Sequence, residues 1–348
     1  MLIMKKCLIC NQNDANQTGS HIVPHFLVKR IYNLEGELKR DKELGFTIDE
    51  NDSKMFFGRA ILPEKLEEIY GPVDEQLLEQ NNIDGIVDNF FCDTCEKKLA
   101  IIESEYSKSL KIISPSNISY NSNKIPSLGF LFWLSVIWRI SIMPNSGFKL
   151  KDKDEKKLQR ILNKYLSIDI NQIKLDIKDS DLLDIGYKIL RAPDFSITFP
   201  TFQYGHSFSE RPYFLVIDEF IIFLYFKKSH MKGMIHDFFG SYALLGKSKF
   251  NTPFQIEEIY SVDFADFKII MDKMVKFFAE KKILNLSIKL DLIHQKLLPN
   301  HGKKMNFTLK EKILKNIANS DVKLGKRNVE NELKIMQETI IEFYNIKE

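Results

Sequence analysis

Little in this chain points outward. There are four cysteines, two tryptophans and a formal net charge of only +3 in 348 residues. So small a charge neither demands nor excludes a nucleic-acid partner, which leaves that question to local patches. Four cysteines are too few for a disulfide framework in a chain of this length, which fits a reducing compartment and a cytoplasmic location. No signal peptide is expected, because the apolar run from Leu2 is broken by Lys5 and Lys6. The longest apolar run, residues 128–143, falls short of the roughly 20 residues of a membrane span and contains Arg139. It reads as a buried core helix, with no membrane partner. No internal repeat is visible, and no glycine-rich loop has phosphate-cradling spacing.

The few cysteines are tightly grouped. They form two pairs, Cys7-Leu8-Ile9-Cys10 and Cys92-Asp93-Thr94-Cys95. One C-x-x-C is a weak signal; two with no other cysteine supply the four soft ligands of a closed tetrahedral zinc site. The competing reading is four buried thiols packed as small hydrophobes. A zinc ion would also supply folding free energy to a segment that is not very apolar. Between the pairs stands Ser20-His21-Ile22-Val23-Pro24-His25. A histidine there can be a base or a ligand, or a satisfied and inert side chain.

The remaining pattern is coarse. Strand character at 85–91 leads into Cys92, and Leu99, Ile102 and Tyr106 then fall at helical spacing. A short helix is expected over 63–70, and the Ser/Asn-rich stretch 114–123 reads as a linker or exposed loop. Residues 149–165 form an amphipathic helix with Leu158, Ile161, Leu162 and Tyr165 on one side. From 189 to 227 the texture is β, with Phe195–Phe199 as one strand and Asp218-Glu219 as a tight hairpin turn. Residues 264–286 and 308–345 are helical. The stretch 303–327 has eight basic residues against Glu311 and Asp321. It reads as a phosphate-tracking helix pair or as an ordinary solvated surface. The aromatics of 195–226 suit base stacking or, more simply, a half-buried sheet.

Cys7-x-x-Cys10, Ser20-His21-Ile22-Val23-Pro24 and Asn89-Phe90-Phe91-Cys92-x-x-Cys95-Glu96 together resemble the HNH nucleases of the ββα-metal, treble-clef class. The resemblance covers residues 7–108, with weaker echoes to Trp138-Arg139. It implies structural Zn2+ on Cys7, Cys10, Cys92 and Cys95, and His21 as the base that activates water. It further implies a catalytic Mg2+ or Mn2+, for which Glu96 is the candidate ligand, and a catalytic asparagine, Asn89 or alternatively Asn82. Lys29, Arg30 and Arg59 become candidates for contact with the nucleic-acid backbone. Two departures stand out. Ser20 occupies a position often acidic in the family, and residues 11–91 put 81 residues between the pairs. Glu103, seven residues after Glu96, lies on the same helix face but about 10 Å further along it, so one ion does not readily take both.

The expected fold is therefore α+β. A zinc-bound domain over 1–112 precedes a larger domain over 124–348, mixing helices with antiparallel sheet, for substrate recognition, regulation or partner binding. The expected function is metal-dependent hydrolysis of phosphodiester bonds, DNA above all, with antiviral defence as a class-level role. A second copy or a regulatory protein are further expected partners. The rival function is a zinc-built module that binds nucleic acid or protein without cutting.

Overall fold

In a computed structural model of the chain, the residues described are 5–28, 44–48, 53–57, 86–87, 89–110, 117–143, 146, 148–193, 195, 204–206, 211–232, 237–297, 304–324 and 329–344. Lys29, Arg30, Arg59, Asn82 and the expected helix at 63–70 lie outside them. So do residues 196–199 of an expected strand and the side chain of His25.

The elements run β1 (Ser20–His21), α1 (His25–Val28), β2 (Leu44–Ile48), β3 (Ser53–Phe57), β4 (Ile86–Val87), α2 (Asp93–Ser109), β5 (Ser119–Asn121), α3 (Leu128–Ile142) and α4 (Asp152–Tyr165). They continue β6 (Gly186–Arg191), β7 (Tyr204–His206), β8 (Tyr213–Ile217), β9 (Phe220–Tyr225), α5 (Tyr242–Lys247), β10 (Glu258–Ser261), α6 (Phe264–Leu297), α7 (Phe307–Leu324) and α8 (Val329–Tyr344). They fall into two compact units. The first is Met1–Leu38 with Asp84–Met271; the second is Lys39–Ile83 with Asp272–Glu348.

The boundary expected from the sequence lay at 112–124, whereas this division places residues 84–271 in one unit. One hydrophobic core runs from Cys7 through α2, α3 and α4 to Ile259, so the cysteine region and the sheet share an interior. The apolar run forms α3, where Leu128 through Ser141 are all buried. A helix apolar on every side belongs inside a core. No helix among the described residues is long and apolar enough to cross a membrane.

The first unit is built on a six-stranded sheet, ordered β5-β10-β6-β9-β8-β7. Its β8–β9 hairpin turns at Asp218-Glu219 as the sequence suggests, with Asp218 in the left-handed region at φ 49°. Every residue of β8 and β9 is buried. Tyr213, Leu215, Ile217, Phe220, Ile222 and Leu224 join the core shared with the helices. Phe214 and Phe223, on the other face, pack against Phe238 at 5.8 and 5.1 Å. A sheet covered on both faces explains unbroken apolar runs in place of alternation. Two further expectations need correction. The sheet is mixed, not antiparallel, because β10 lies parallel to β6. Ser119–Asn121, expected in a loop, is an edge strand antiparallel to β10, with Tyr120 opposite Ile259.

A buried carboxylate ties these layers. Glu257, just before β10, accepts from Tyr106 of α2 (2.7 Å), Ser122 (2.6 Å) and Tyr187 of β6. The indole of Trp133 in α3 donates to the Tyr106 hydroxyl at 2.8 Å. Gly129 is required here, since a Cβ would stand 2.5 Å from Glu257 Oε2. Burial pushes the Glu257 carboxyl up, against the hydroxyls that favour its charged form. The folded state therefore holds this proton more tightly than the unfolded chain. That contribution is complete below the ordinary carboxylate range and is lost as pH rises through the raised value. The stability gap between wild type and Glu257→Gln, followed by thermal melts from about pH 5 to about pH 8, is expected to shift steadily toward the glutamine variant. A gap independent of pH would contradict this account.

In the second unit β2 and β3 pair antiparallel, from Leu44 opposite Phe57 to Ile48 opposite Ser53. Leu290 of α6, Met305, Leu309, Ile313 and Ile317 at α7, and Met336 and Ile340 of α8 form its separate core. In the basic stretch, Lys310 pairs with Asp291 at 2.7 Å and Lys312 with Glu342 at 2.9 Å. At least two of its eight cations thus have carboxylate partners, which weakens a phosphate-tracking role.

Candidate metal centre and the strand beside it

The first cysteine pair sits in a tight turn. Asn11 takes the left-handed conformation, φ 54°, and its N–H donates to the Cys7 carbonyl at 2.8 Å. Cys7 N–H in turn donates to Asn13 O at 2.8 Å, and Lys6 bridges Asp14 across the turn. The second pair sits where Asn89, φ 59°, turns the chain out of β4 and Cys92 becomes the N-cap of α2. Among the described residues β4 covers Ile86–Val87, and residues 89–91 are not part of it. Asparagine tolerates φ > 0 better than most residues, which accounts for Asn11 and Asn89 by backbone alone.

Backbone bonds lace the two turns together. Leu8 N–H donates to Phe90 O at 2.9 Å, and Asn16 and Gln17 N–H both donate to Phe91 O at 3.1 Å. Asn89 N–H returns a bond to Gln17 O at 2.7 Å. The consequence is sulfur convergence: the ligand atoms of Cys7, Cys10, Cys92 and Cys95 all lie within 4.8 Å of one another. None is in a disulfide.

The donor set fits zinc. A tetrahedron with Zn–S bonds of about 2.3 Å has edges of about 3.8 Å. Cys10 Sγ and Cys92 Sγ stand 3.9 Å apart. Asn13 Nδ2 adds a contact of 3.6 Å to Cys92 Sγ, the kind of outer hydrogen bond that holds a ligand in place. Electrostatics agree. The Cys95 thiol beside it, helped by backbone N–H groups, draws Cys7 down to about 4. The same bond, with burial, pushes Cys95 up. One thiolate forms easily and repels the next, so full deprotonation of four crowded sulfurs calls for a cation among them.

Next to the sulfurs lies a two-stranded ribbon. β1 and β4 are antiparallel, with Ser20 opposite Val87 and His21 opposite Ile86. Ser20 is buried, and its hydroxyl donates to Glu96 Oε2 on the first turn of α2 at 3.1 Å. Burial raises the Glu96 carboxyl; Ser20 and the positive charge of Arg139 oppose that, while Glu103 and Cys7 add to it. Arg139, only 2% exposed, reaches over from α3. Its Nη1 donates to the carbonyl of His21 at 2.9 Å and stands 2.7 Å from Glu103 Oε1.

The sequence-derived residues thus distribute unevenly. The four cysteines come together. Glu96 meets the β1 strand, but its contact is with Ser20; His21, half-buried, enters the cluster through its carbonyl. Glu103 pairs with Arg139. Asn89 is exposed and does backbone work. Arg139 was the residue the sequence reading undervalued. A lone charge in an otherwise apolar helix is the signal that points to it. No known protein family, curated protein or solved structure matches the chain.

Proposed function

We propose that the chain is a metal-dependent nuclease that hydrolyses phosphodiester bonds, with DNA as the favoured substrate. The observation that carries this reading is the Ser20–Glu96 contact, which sets the His21 strand against the start of the helix that carries Cys92 and Cys95. This reading takes the knuckle, the β1–β4 ribbon and the helix as the parts of a treble clef, with the zinc purely structural. In this reading His21 takes the proton of the attacking water. Glu96 presents a carboxylate, a suitable donor for a hard divalent ion. Such an ion, magnesium or manganese, would polarise the scissile phosphate and stabilise the leaving oxygen. Ser20 keeps Glu96 aimed, and its bond favours the charged carboxylate that a metal needs.

A second reading has its own support. With Ser20 where an acidic residue would add a ligand, and Glu103 held by Arg139, Glu96 alone of these three positions offers a carboxylate to an ion. That favours a module that grips nucleic acid without cutting it. Plasmid incubated with magnesium or manganese separates the two. The wild type is expected to nick or linearise it, and His21→Ala to do so at least about 100-fold more slowly with its zinc intact. Retention of plasmid by both proteins, with cleavage by neither, would establish the binding module instead.

A further inference from the structure

We propose that Arg139 is the positioning residue of this site, fixing the strand that carries His21 against the helix that carries Glu96. The kinetic part of this proposal rests on the nuclease reading; the structural part does not. Three observations lead to it.

Arg139 is the single ionisable residue of α3, between Leu128 and Ile142, and it is buried. Desolvating a guanidinium costs several kcal/mol, and a well-packed apolar side chain of similar volume is often as stable or more so. The charge therefore needs a role other than filling space.

Its contacts are directed and fall on three elements. Nε donates to Ser135 O in its own helix at 3.2 Å, which anchors the side chain. Nη1 meets Glu103 on α2 at 2.7 Å and the His21 carbonyl on β1 at 2.9 Å. The planar guanidinium, anchored through Nε, holds these acceptors in a more fixed geometry than an ammonium on a flexible stem would.

The strand it holds needs holding. β1 and β4 pair over just two residues each, and so short a ribbon is not stable by itself. Fixing the His21 carbonyl restricts the backbone at His21, and with it the direction of the Cα–Cβ bond. Being buried, Arg139 has no access to substrate, which separates positioning from catalysis.

The test uses the full chain with Arg139→Gln, Arg139→Lys and Glu103→Gln, read by amide exchange, zinc content and cleavage kinetics. Zinc-loaded Arg139→Gln is expected to exchange the amides of residues 20–23 at least about tenfold faster, while the cysteine turns keep their protection. Its kcat should fall about 100-fold with KM nearly unchanged, as displacement of a reacting group by about 1 Å can do. Arg139→Lys should recover part of both losses. Should Arg139→Gln fail to fold, Glu103→Gln carries the test: it leaves the guanidinium without its carboxylate and should loosen residues 20–23 in the same direction. A folded, zinc-loaded Arg139→Gln or Glu103→Gln with wild-type exchange at 20–23 overturns the proposal. Failure of the wild type to cleave any nucleic acid would count against the nuclease reading alone, with exchange still deciding the role of Arg139.

Discussion

Replacing Cys92 with alanine is expected to strip the protein of its zinc and to unfold the region around residues 5–28. Structural zinc contributes on the order of 10 kcal/mol to folding in small domains, as much as the whole stability of an ordinary one. Cys92 is the right residue to change. It is one of the four clustered cysteines, the N-cap of α2, and the acceptor of the Asn13 contact. Its loss removes the bond between two turns that otherwise touch through a few backbone hydrogen bonds. Elemental analysis should find little metal, the melting temperature should fall by about 10 °C or more, and exchange protection at 5–28 should vanish. A strong chelator acting on the wild type should do the same. Full stability in a zinc-free protein would mean that the thiols simply pack as small hydrophobes.

A fragment ending at residue 112 will not fold, although the cysteines, His21 and Glu96 all lie within it. The interior it needs is supplied by α3. Tyr106 stacks on Phe132 with ring centres 4.0 Å apart, Phe91 packs on Trp138 at 6.2 Å, and Phe26 on Phe132 at 5.6 Å. Leu99 and Ile102 are buried in the same core. Each such side chain contributes roughly 1.5–3 kcal/mol when fully buried, so exposing the four that are, Tyr106, Phe91, Leu99 and Ile102, forfeits about 6–12 kcal/mol. That loss is as large as the margin of about 5–15 kcal/mol that holds an ordinary domain folded. The fragment 1–271, which reaches the end of the first compact unit, should instead give dispersed amide resonances and bind zinc. Dispersed resonances from 1–112 would restore the boundary read from the sequence.

These two expectations show what was legible and what was not. The four-cysteine cluster could be read because two pairs of cysteines admit few arrangements. The 149–165 helix and the β8–β9 hairpin could be read because each carries its own periodicity or turn. The antiparallel strand at Ser119–Asn121 could not. Its Ser-Tyr-Asn sequence is that of a loop, and only pairing with residues more than 130 positions away makes it a strand. Composition likewise showed that α3 is buried but not against what: its packing on Phe91 and Tyr106 is long-range. The partners of Glu257 and Arg139 are long-range hydrogen bonds, and these leave no mark on local sequence. The candidate site was half visible for the same reason: Glu96 follows a cysteine knuckle, whereas the serine that aims it lies 76 positions earlier.

The distance between the cysteine pairs has a consequence for how the protein is made. Residues 11–91 are synthesised between them. At about 5–20 residues per second, the ribosome leaves Cys7 and Cys10 waiting on the order of 10 s for their partners. During that interval a nascent chain offers two thiols where a closed centre needs four, and is open to oxidation or to capture by competing metals. The helix that completes the interior emerges later still, so the nascent protein passes through a metal-hungry stage before its shape can be sealed.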